Sequence, residues 1–261
     1  VTLEALELLV DRPVHGGRCV AYPVGGPLPE ADAPTTPARP RRGRVVLLAG
    51  GIPGEVVRAS VATHKGVTFG EVTEVVAPSA DRVPAPAHPG LDLGHVALER
   101  QLRWKHEVLL DAARRAGVEL VAEVPSVLPS PQAWGYRSGI QPAIGPGGAG
   151  TAGAGTAGAG TAETGSGPTP LGYRRPGAHD VVVLTGDPTA NAACAAAWSA
   201  LEATPLPAGV VEVAIRGNDD GVSLVALVAR GEARDALDAA HALVRAGVGG
   251  VALAPYDPRG R

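Results

Sequence analysis

Two patterns predict a β-rich α+β chain that opens with a small antiparallel β-barrel and continues as an α+β region. Between Leu3 and Ala77, five short strand-like stretches are separated by turns rich in glycine and proline. Beyond about residue 97, helical and strand-like periodicities alternate instead. Composition agrees with both: 261 residues, 45% apolar and 19% charged, suffice for a buried core and argue against wholesale disorder. A net charge of −3 excludes a strongly basic coat protein, but a local basic patch can still bind polyanions.

The elements follow in order. Leu3 to Leu8 roughly alternates, as a strand with one wet face does, and His15-Gly16-Gly17-Arg18 is a turn before the short stretch Cys19 to Tyr22. Arg44 to Leu48 reads as a buried strand stopped by Gly50-Gly51; after the turn Ile52-Pro53-Gly54-Glu55, alternation resumes from Glu55 to Ala62, and Phe69 to Val76 supplies a fifth strand. The run 26–42 is proline-rich and aperiodic, an exposed excursion between two strands. Pro78 to Pro89 is irregular and marks a domain boundary. A helix is expected from Ala97 to Ala116, with Leu98, Leu102, Leu109 and Ala113 on one stripe and Gly117 as its stop. Strands are expected within Leu128–Ile144, Leu171–Leu184 and Val210–Ala229, helices over Ala190–Ala203 and Glu232–Ala246, and a final strand over Gly250–Ala254. The low-complexity run 145–168, where Thr-Ala-Gly-Ala-Gly occurs at 151 and 156, has no side chain able to build a core. It reads as a flexible loop between paired strands or, alternatively, as a domain linker. The expected domains are thus a barrel over 1–78, a linker over 79–96 and a central α+β domain over 97–261.

Several functions are excluded by missing patterns. There is no P-loop, no GxGxxG between strand and helix, no HExxH, no CxxC and no GxSxG elbow. The histidines are scattered, and His179 or His241 alone reads as a surface residue. No apolar run approaches a membrane span, and the N-terminus lacks a signal-peptide layout. Two cysteines, Cys19 and Cys194, cannot form a disulfide framework. A soluble, cytoplasmic monomer without a membrane partner is the expectation. Lys65 and Lys105 are the only lysines, a bias that with abundant Ala and Gly fits a GC-rich genome. The chain holds no methionine and begins at Val1, so a fragment or a non-standard start is expected.

The positive signal is arginine beside aromatic residues in a chain only 3% aromatic. Ser130 to Arg137 places Trp134, Tyr136 and Arg137 within four residues, and Leu171 to Arg175 repeats the theme with Tyr173, Arg174 and Arg175. Aromatic faces stack on unpaired bases and guanidinium groups pair with phosphates. A hairpin would bring the two clusters onto one sheet; the competing reading makes Trp134 a core anchor and the arginines solvated. Arg39, Arg41, Arg42 and Arg44 form a second basic cluster, which reads as a solubilising loop or a backbone contact. The helix arginines, Arg100, Arg103, Arg114 and Arg115, read as a wet face.

Taken in order, these pieces resemble the bacterial RNA (uracil-C5)-methyltransferase family. The N-terminal text, His15-Gly16-Gly17-Arg18, Val45 to Gly54 with Ile52-Pro53-Gly54-Glu55, Phe69-Gly70-Glu71-Val72 and Pro78 to Val83, is similar to its TRAM domain, an OB-like barrel. Asp92-Leu93-Gly94-His95 followed by Gln101 to Lys105 resembles the opening of the family's central domain, and Ser130–Arg137 and Leu171–His179 its next strands. The resemblance implies RNA binding, to ribosomal or transfer RNA and not DNA, by His15, Arg18, Trp134, Tyr136, Arg137, Tyr173, Arg174 and Arg175.

Two departures limit what carries over. Many members hold a four-cysteine iron–sulfur site, but His88 and Leu91 stand where two of its cysteines would be, and the position around Val183 is also non-cysteine. A cluster needs its thiolates, so none is expected. The family's S-adenosylmethionine (SAM) domain, with its nucleophilic cysteine and general base, has no counterpart before Arg261. No catalytic residue and no cofactor-binding residue is therefore expected within these 261 residues. The chain reads as the RNA-recognition portion of such an enzyme; a stand-alone RNA-binding protein without the methyltransferase domain is the alternative.

Overall fold

The structure, a computed structural model, describes residues 3–24, 44–86, 88–118, 126–145, 168–176 and 178–257. The excursion at 26–42, with Arg39, Arg41 and Arg42, and the low-complexity run from 146 to 167 lie outside the described residues. The chain divides into two compact units, Val1–Pro86 with Leu91–Pro129, and Ala87–Gly90 with Ser130–Arg261.

The first unit is built on a closed five-stranded barrel: β1 (Glu4–Val14), β2 (Arg18–Pro23), β3 (Val46–Ala49), β4 (Val56–His64) and β5 (Val67–Ala77), in the order β1-β2-β3-β5-β4. Alternation drives it, since Leu8 and Val10 on β1, Val46 and Leu48 on β3 and Ala59 and Val61 on β4 all point inward. The β1–β2 turn needs positive φ twice, and Gly16 and Gly17 supply it at 83° and 70°. A bulge between Val10 and Arg12 bends the long β1 around the barrel. The sequence pattern suggests a wholly antiparallel barrel; the structure differs at one seam, where β3 and β5 run parallel, Leu47 opposite Phe69. Those two strands are joined through β4, so barrel closure sets their direction and no hairpin turn does.

A buried carboxylate locks the turn that closes this barrel. Glu55 is fully buried, accepts hydrogen bonds from the Ile52 and Ser79 N–H groups at 2.9 and 3.0 Å, and is held by Arg82 through Nε at 2.7 Å and Nη2 at 2.6 Å. Arg82 also donates to the Gly50 carbonyl at 2.7 Å. Burial alone would raise the Glu55 pKa, but the Arg82 and backbone donors outweigh it and hold the carboxyl below its ordinary value.

Helix α1 (Leu98–Arg115) falls in the same compact unit as the barrel. Trp104 decides this, because its ring is 2% exposed within the barrel's apolar cluster. Arg100 lies over that ring at 5.7 Å and pairs with Glu107 at 2.9 Å. The buried stripe is consequently turned away from the one the leucine spacing suggests: Leu98 and Leu109 are exposed, whereas Arg100 and Trp104 are buried.

In the second unit, β6 (Gly139–Ile140), β10 (Val210–Gly217), β11 (Ser223–Ala229) and β12 (Gly250–Pro255) form a sheet in the order β12-β11-β10-β6. The strands β7 (Ala143–Ile144), β8 (Leu171–Arg174) and β9 (Val181–Val183) form a three-stranded ribbon. The stretch Leu128–Ile144 thus contributes only two-residue strands, separated at Gln141-Pro142. Helix α2 (Ala192–Ala203) is capped by Asn191, whose side chain accepts from the Cys194 N–H at 2.9 Å. A 3-10 turn (Ala233–Ala236) and α3 (Leu237–Arg245) carry the chain from β11 to its parallel neighbour β12. Trp198 and Leu201 of α2 and Leu243 of α3 meet Ile215 and Leu227 in one core.

Glu55→Gln is expected to lower the stability of the barrel unit by about 3–5 kcal/mol, because Arg82 would lose its counter-charge in a buried site; urea unfolding checks this. Because the folded pKa is depressed, the carboxylate's contribution is present in full above the unfolded value and is lost as pH falls through the folded one. Wild type should therefore lose stability on acidification below about pH 4.5, and the Glu55→Gln variant should show a visibly shallower loss over that range.

Candidate nucleic-acid interface

On the barrel unit, the outward face of β2 and β3 meets α1 in a groove of about 440 Å³. Val20, Val45, Leu47, Val108 and Ala112 give it an apolar floor, and Arg12, His15 and Arg115 stand along it. Arg12 pairs with Asp11 at 3.0 Å and Arg115 with Asp111 at 2.8 Å. Arg18 begins β2 beside this face, its guanidinium over the exposed Phe69 ring at 5.4 Å. His15 and Arg18 therefore sit at the β1–β2 turn and the β2–β3 face, the surface on which OB-type barrels bind oligonucleotides. Arg44 is committed elsewhere: it bonds Glu4, Thr68 Oγ1 at 3.2 Å and Thr63 Oγ1 at 3.1 Å.

In the second unit, Trp134 and Tyr136 are 48% and 51% exposed, so Trp134 is not a core anchor. The backbone beneath them is nonetheless pinned. The Gly135 N–H donates to the Pro188 carbonyl at 3.0 Å, the Arg137 N–H to the Thr189 carbonyl at 2.7 Å, and the Asn191 N–H to the Arg137 carbonyl at 2.9 Å. A positive φ of 68° at Gly135 turns the chain between the two rings. Arg137 thereby forms a parallel bridge with Ala190, off the main sheet.

Tyr173 approaches the same 187–190 segment from β8. Its hydroxyl donates to Asp187 Oδ2 at 2.7 Å, and its ring lies 4.7 Å from His88 and 6.0 Å from Trp198, centroid to centroid. Asp187 also accepts from the Thr189 N–H at 2.8 Å and the Thr189 hydroxyl at 2.6 Å, an Asx-type turn. Burial would raise the Asp187 pKa, but the hydrogen bonds from Thr189 and Tyr173 outweigh it and lower it; burial and the hydrogen bond to Asp187 push the Tyr173 phenol up. The two aromatic–arginine clusters thus converge, but on the Asp187–Ala190 segment, not by sharing a hairpin. Tyr173 is half-buried with its hydroxyl engaged, whereas Arg174 is exposed and Arg175 pairs with Asp180 at 2.7 Å on the surface. Asp187 and Thr189 were not singled out by residue pattern; Asp-Pro-Thr is a turn signal that carries no chemistry by itself.

Among the described residues, no group of three or more His, Cys, Asp or Glu side chains is placed to hold a metal ion. His88 Nδ1 accepts from the Gly90 N–H at 3.0 Å and its Nε2 faces Asp187 Oδ1 at 3.5 Å, so both ring nitrogens face protein groups. Cys19 and Cys194 are each buried in a hydrophobic core, where burial raises their pKa and disfavours the thiolate a cluster requires.

The chain is 36% identical over 120 residues to a Halomonas elongata protein named 23S rRNA (uracil(1939)-C(5))-methyltransferase RlmD, covering 44% of this chain and 21% of that protein. It is 30% identical over 106 residues to an uncharacterised RNA methyltransferase of Lactobacillus johnsonii, covering 38% of this chain and 23% of the relative. It is 30% identical over 175 residues to another from Thermosynechococcus vestitus, covering 62% and 34%. The N-terminal portion of this chain is homologous to RNA methyltransferases. The closed five-stranded barrel is consistent with a TRAM-like domain. The matches span about a fifth to a third of these relatives' own length. No family model matches the chain. Among the described residues, no helix is long and apolar enough to cross a membrane.

Tyr173→Phe removes one donor from the buried Asp187 carboxylate and is expected to cost the second unit about 1.5–3 kcal/mol, the range for hydrogen bonds to charged groups. Thermal unfolding followed by tryptophan fluorescence checks this.

Proposed function

We propose that the chain is the RNA-recognition portion of a SAM-dependent RNA (uracil-C5)-methyltransferase acting in the cytoplasm on ribosomal or transfer RNA. The observation that carries this reading is the pair Trp134 and Tyr136, half-exposed yet fixed by three backbone hydrogen bonds to residues 188–191. Exposed aromatic rings on a rigid backbone stack unpaired bases at little entropic cost, and stacking tolerates any base. Arg137 beside them, and Arg174 exposed on β8, supply charge for phosphates. On the barrel unit, the Arg18–Phe69 platform and the groove with Arg12 and His15 add a second single-strand surface.

C5 of a stacked, paired uracil is poorly reachable, so an enzyme of this type needs its target strand held unpaired. SAM supplies the methyl group in such a reaction. The aromatic and arginine residues of this chain do the earlier work: they bind the backbone, stack flanking bases and present the strand. No residue of this chain is assigned to methyl transfer.

Trp134→Ala should weaken binding of a single-stranded uridine-containing RNA by about 1–3 kcal/mol, measured by fluorescence anisotropy with circular dichroism confirming the fold. Unchanged affinity would remove Trp134 from the interface. Wild-type affinity should also fall steeply between about 50 and 200 mM salt, as counterion release requires.

A further inference from the structure

The four-stranded sheet of the second unit ends in an open edge. β12 pairs with β11 on one side, and among the described residues no strand pairs with its other side. The Tyr256 N–H donates to the Ala229 carbonyl at 2.8 Å. Backbone groups alternate in direction along a strand, so Ala254 and Ala252 also turn theirs to β11. Val251 and Leu253 thus present their N–H and C=O groups to the free edge, while their side chains pack against the core. Edge strands of monomers are usually blunted by a charge, an internal proline or a bulge. β12, Gly-Val-Ala-Leu-Ala-Pro, carries no charge, and its register with β11 runs from Gly250 to Pro255 without a bulge. Its proline is the last residue, where it ends a ladder without blocking one.

The helix above continues this edge with apolar surface. α3 carries the chain from β11 to β12 and packs over β12, whereas α2 packs over β10 and β11. A crossover between parallel strands is right-handed, and Ala239, Ala240 and Leu243 fix the core side of α3. Under those two constraints Leu237, His241 and Val244, at helical spacing, fall on the flank away from α2, above the open edge. All three are exposed.

We propose that a second copy of this chain pairs with this edge, β12 against β12 and antiparallel, so that one continuous sheet runs across a two-fold axis. The edge is self-complementary. With Ala252 opposite its own copy, the Val251 N–H and C=O meet the C=O and N–H of Leu253 in the second copy, and Leu253 meets Val251 in return. The Val251 and Leu253 side chains become cross-strand neighbours on the helix face. Ala252 is exposed on the other face and small enough to meet its copy without a clash. The axis is perpendicular to the sheet, so both α3 helices lie on one face. Strands are about 4.8 Å apart, and helices seated over the last two strands of each half then run about 8–10 Å apart, the distance of packed helices. A strand ladder alone buries less than the roughly 1,200–2,000 Å² of a stable interface; the flank of Leu237, His241 and Val244 supplies apolar area beyond it. Such an isologous contact closes on itself and leaves no new β12 edge exposed. The inference is independent of RNA binding and departs from the monomer that the sequence suggests.

Sedimentation equilibrium of the full chain over a range of concentrations tests this, with wild type expected as a reversible dimer. Val244→Glu sets like charges near each other across the axis and should weaken dimerisation about tenfold or more; circular dichroism and a thermal melt confirm that the fold is kept. Ala252→Cys places two thiols in a non-hydrogen-bonded antiparallel pair, with Cα atoms about 4.5 Å apart, so mild oxidation should link the two chains. Cys19 and Cys194 are buried and should leave wild type unlinked. A chain that stays monomeric at every concentration, the result expected if a strand of another polypeptide takes the edge, overturns the proposal. So does a dimer that Val244→Glu leaves intact, or one in which Ala252→Cys fails to crosslink.

Discussion

Asp187 is the constraint on which the proposed RNA surface depends. A buried carboxylate needs partners or it does not stay ionised, and this one collects them from two pieces of chain: the Thr189 turn on its own segment and the Tyr173 hydroxyl on β8, with the His88 imidazole facing it. Satisfying it fixes the path of residues 187–190. That segment then offers the Pro188 and Thr189 carbonyls as docking points for the Gly135 and Arg137 N–H groups. Trp134 and Tyr136 can be exposed and still ordered because the order comes from beneath them. An aromatic pair on an unanchored loop would have to be immobilised at the moment of binding, at a cost in conformational entropy that this arrangement avoids.

The barrel unit follows the same logic at a different place. Glu55 gathers Ile52, Ser79 and Arg82 around the turn after β3, and Arg82 reaches on to Gly50. Both carboxylates sit below their ordinary pKa because their donors outweigh burial. Each therefore acts as an ionised tie between segments distant in sequence. Neither lines the barrel groove, so both are structural groups that leave the proposed binding surface to arginine, aromatic and apolar side chains.

How much of this was readable from residues alone differs between elements. The five barrel strands were legible because they alternate over a wet and a dry face, as β1 and β4 do, or are short apolar runs, as β2 and β3 are, and glycine or proline follows each. The parallel β3–β5 seam was not, because it follows from barrel closure and no local pattern encodes it. The helix at 98–115 was legible but its buried face was not: leucine spacing points to Leu98 and Leu109, whereas the contact is made by one large ring, Trp104, with Arg100 lying across it. The short strands near 140 were overestimated because Gln141-Pro142 splits them between two sheets. Among the proposed RNA-contacting residues, the aromatic–arginine clusters stood out against a chain nearly free of aromatics. What joins them did not, since Asp187 and Thr189 work through tertiary hydrogen bonds to Tyr173 and to residues 135–137.

The central claim, that these surfaces grip an unpaired RNA strand, is tested most directly by photo-crosslinking. Wild-type protein would be irradiated with a single-stranded RNA carrying 4-thiouridine, and the attached peptides mapped by mass spectrometry. The account predicts crosslinks at Trp134 or Tyr136 in the second unit and around Phe69 and His15 on the barrel, all competed by unlabelled single-stranded RNA. Crosslinks confined to other surfaces, such as the charged outer face of β4 and β5, or labelling that duplex RNA competes equally well, would contradict it.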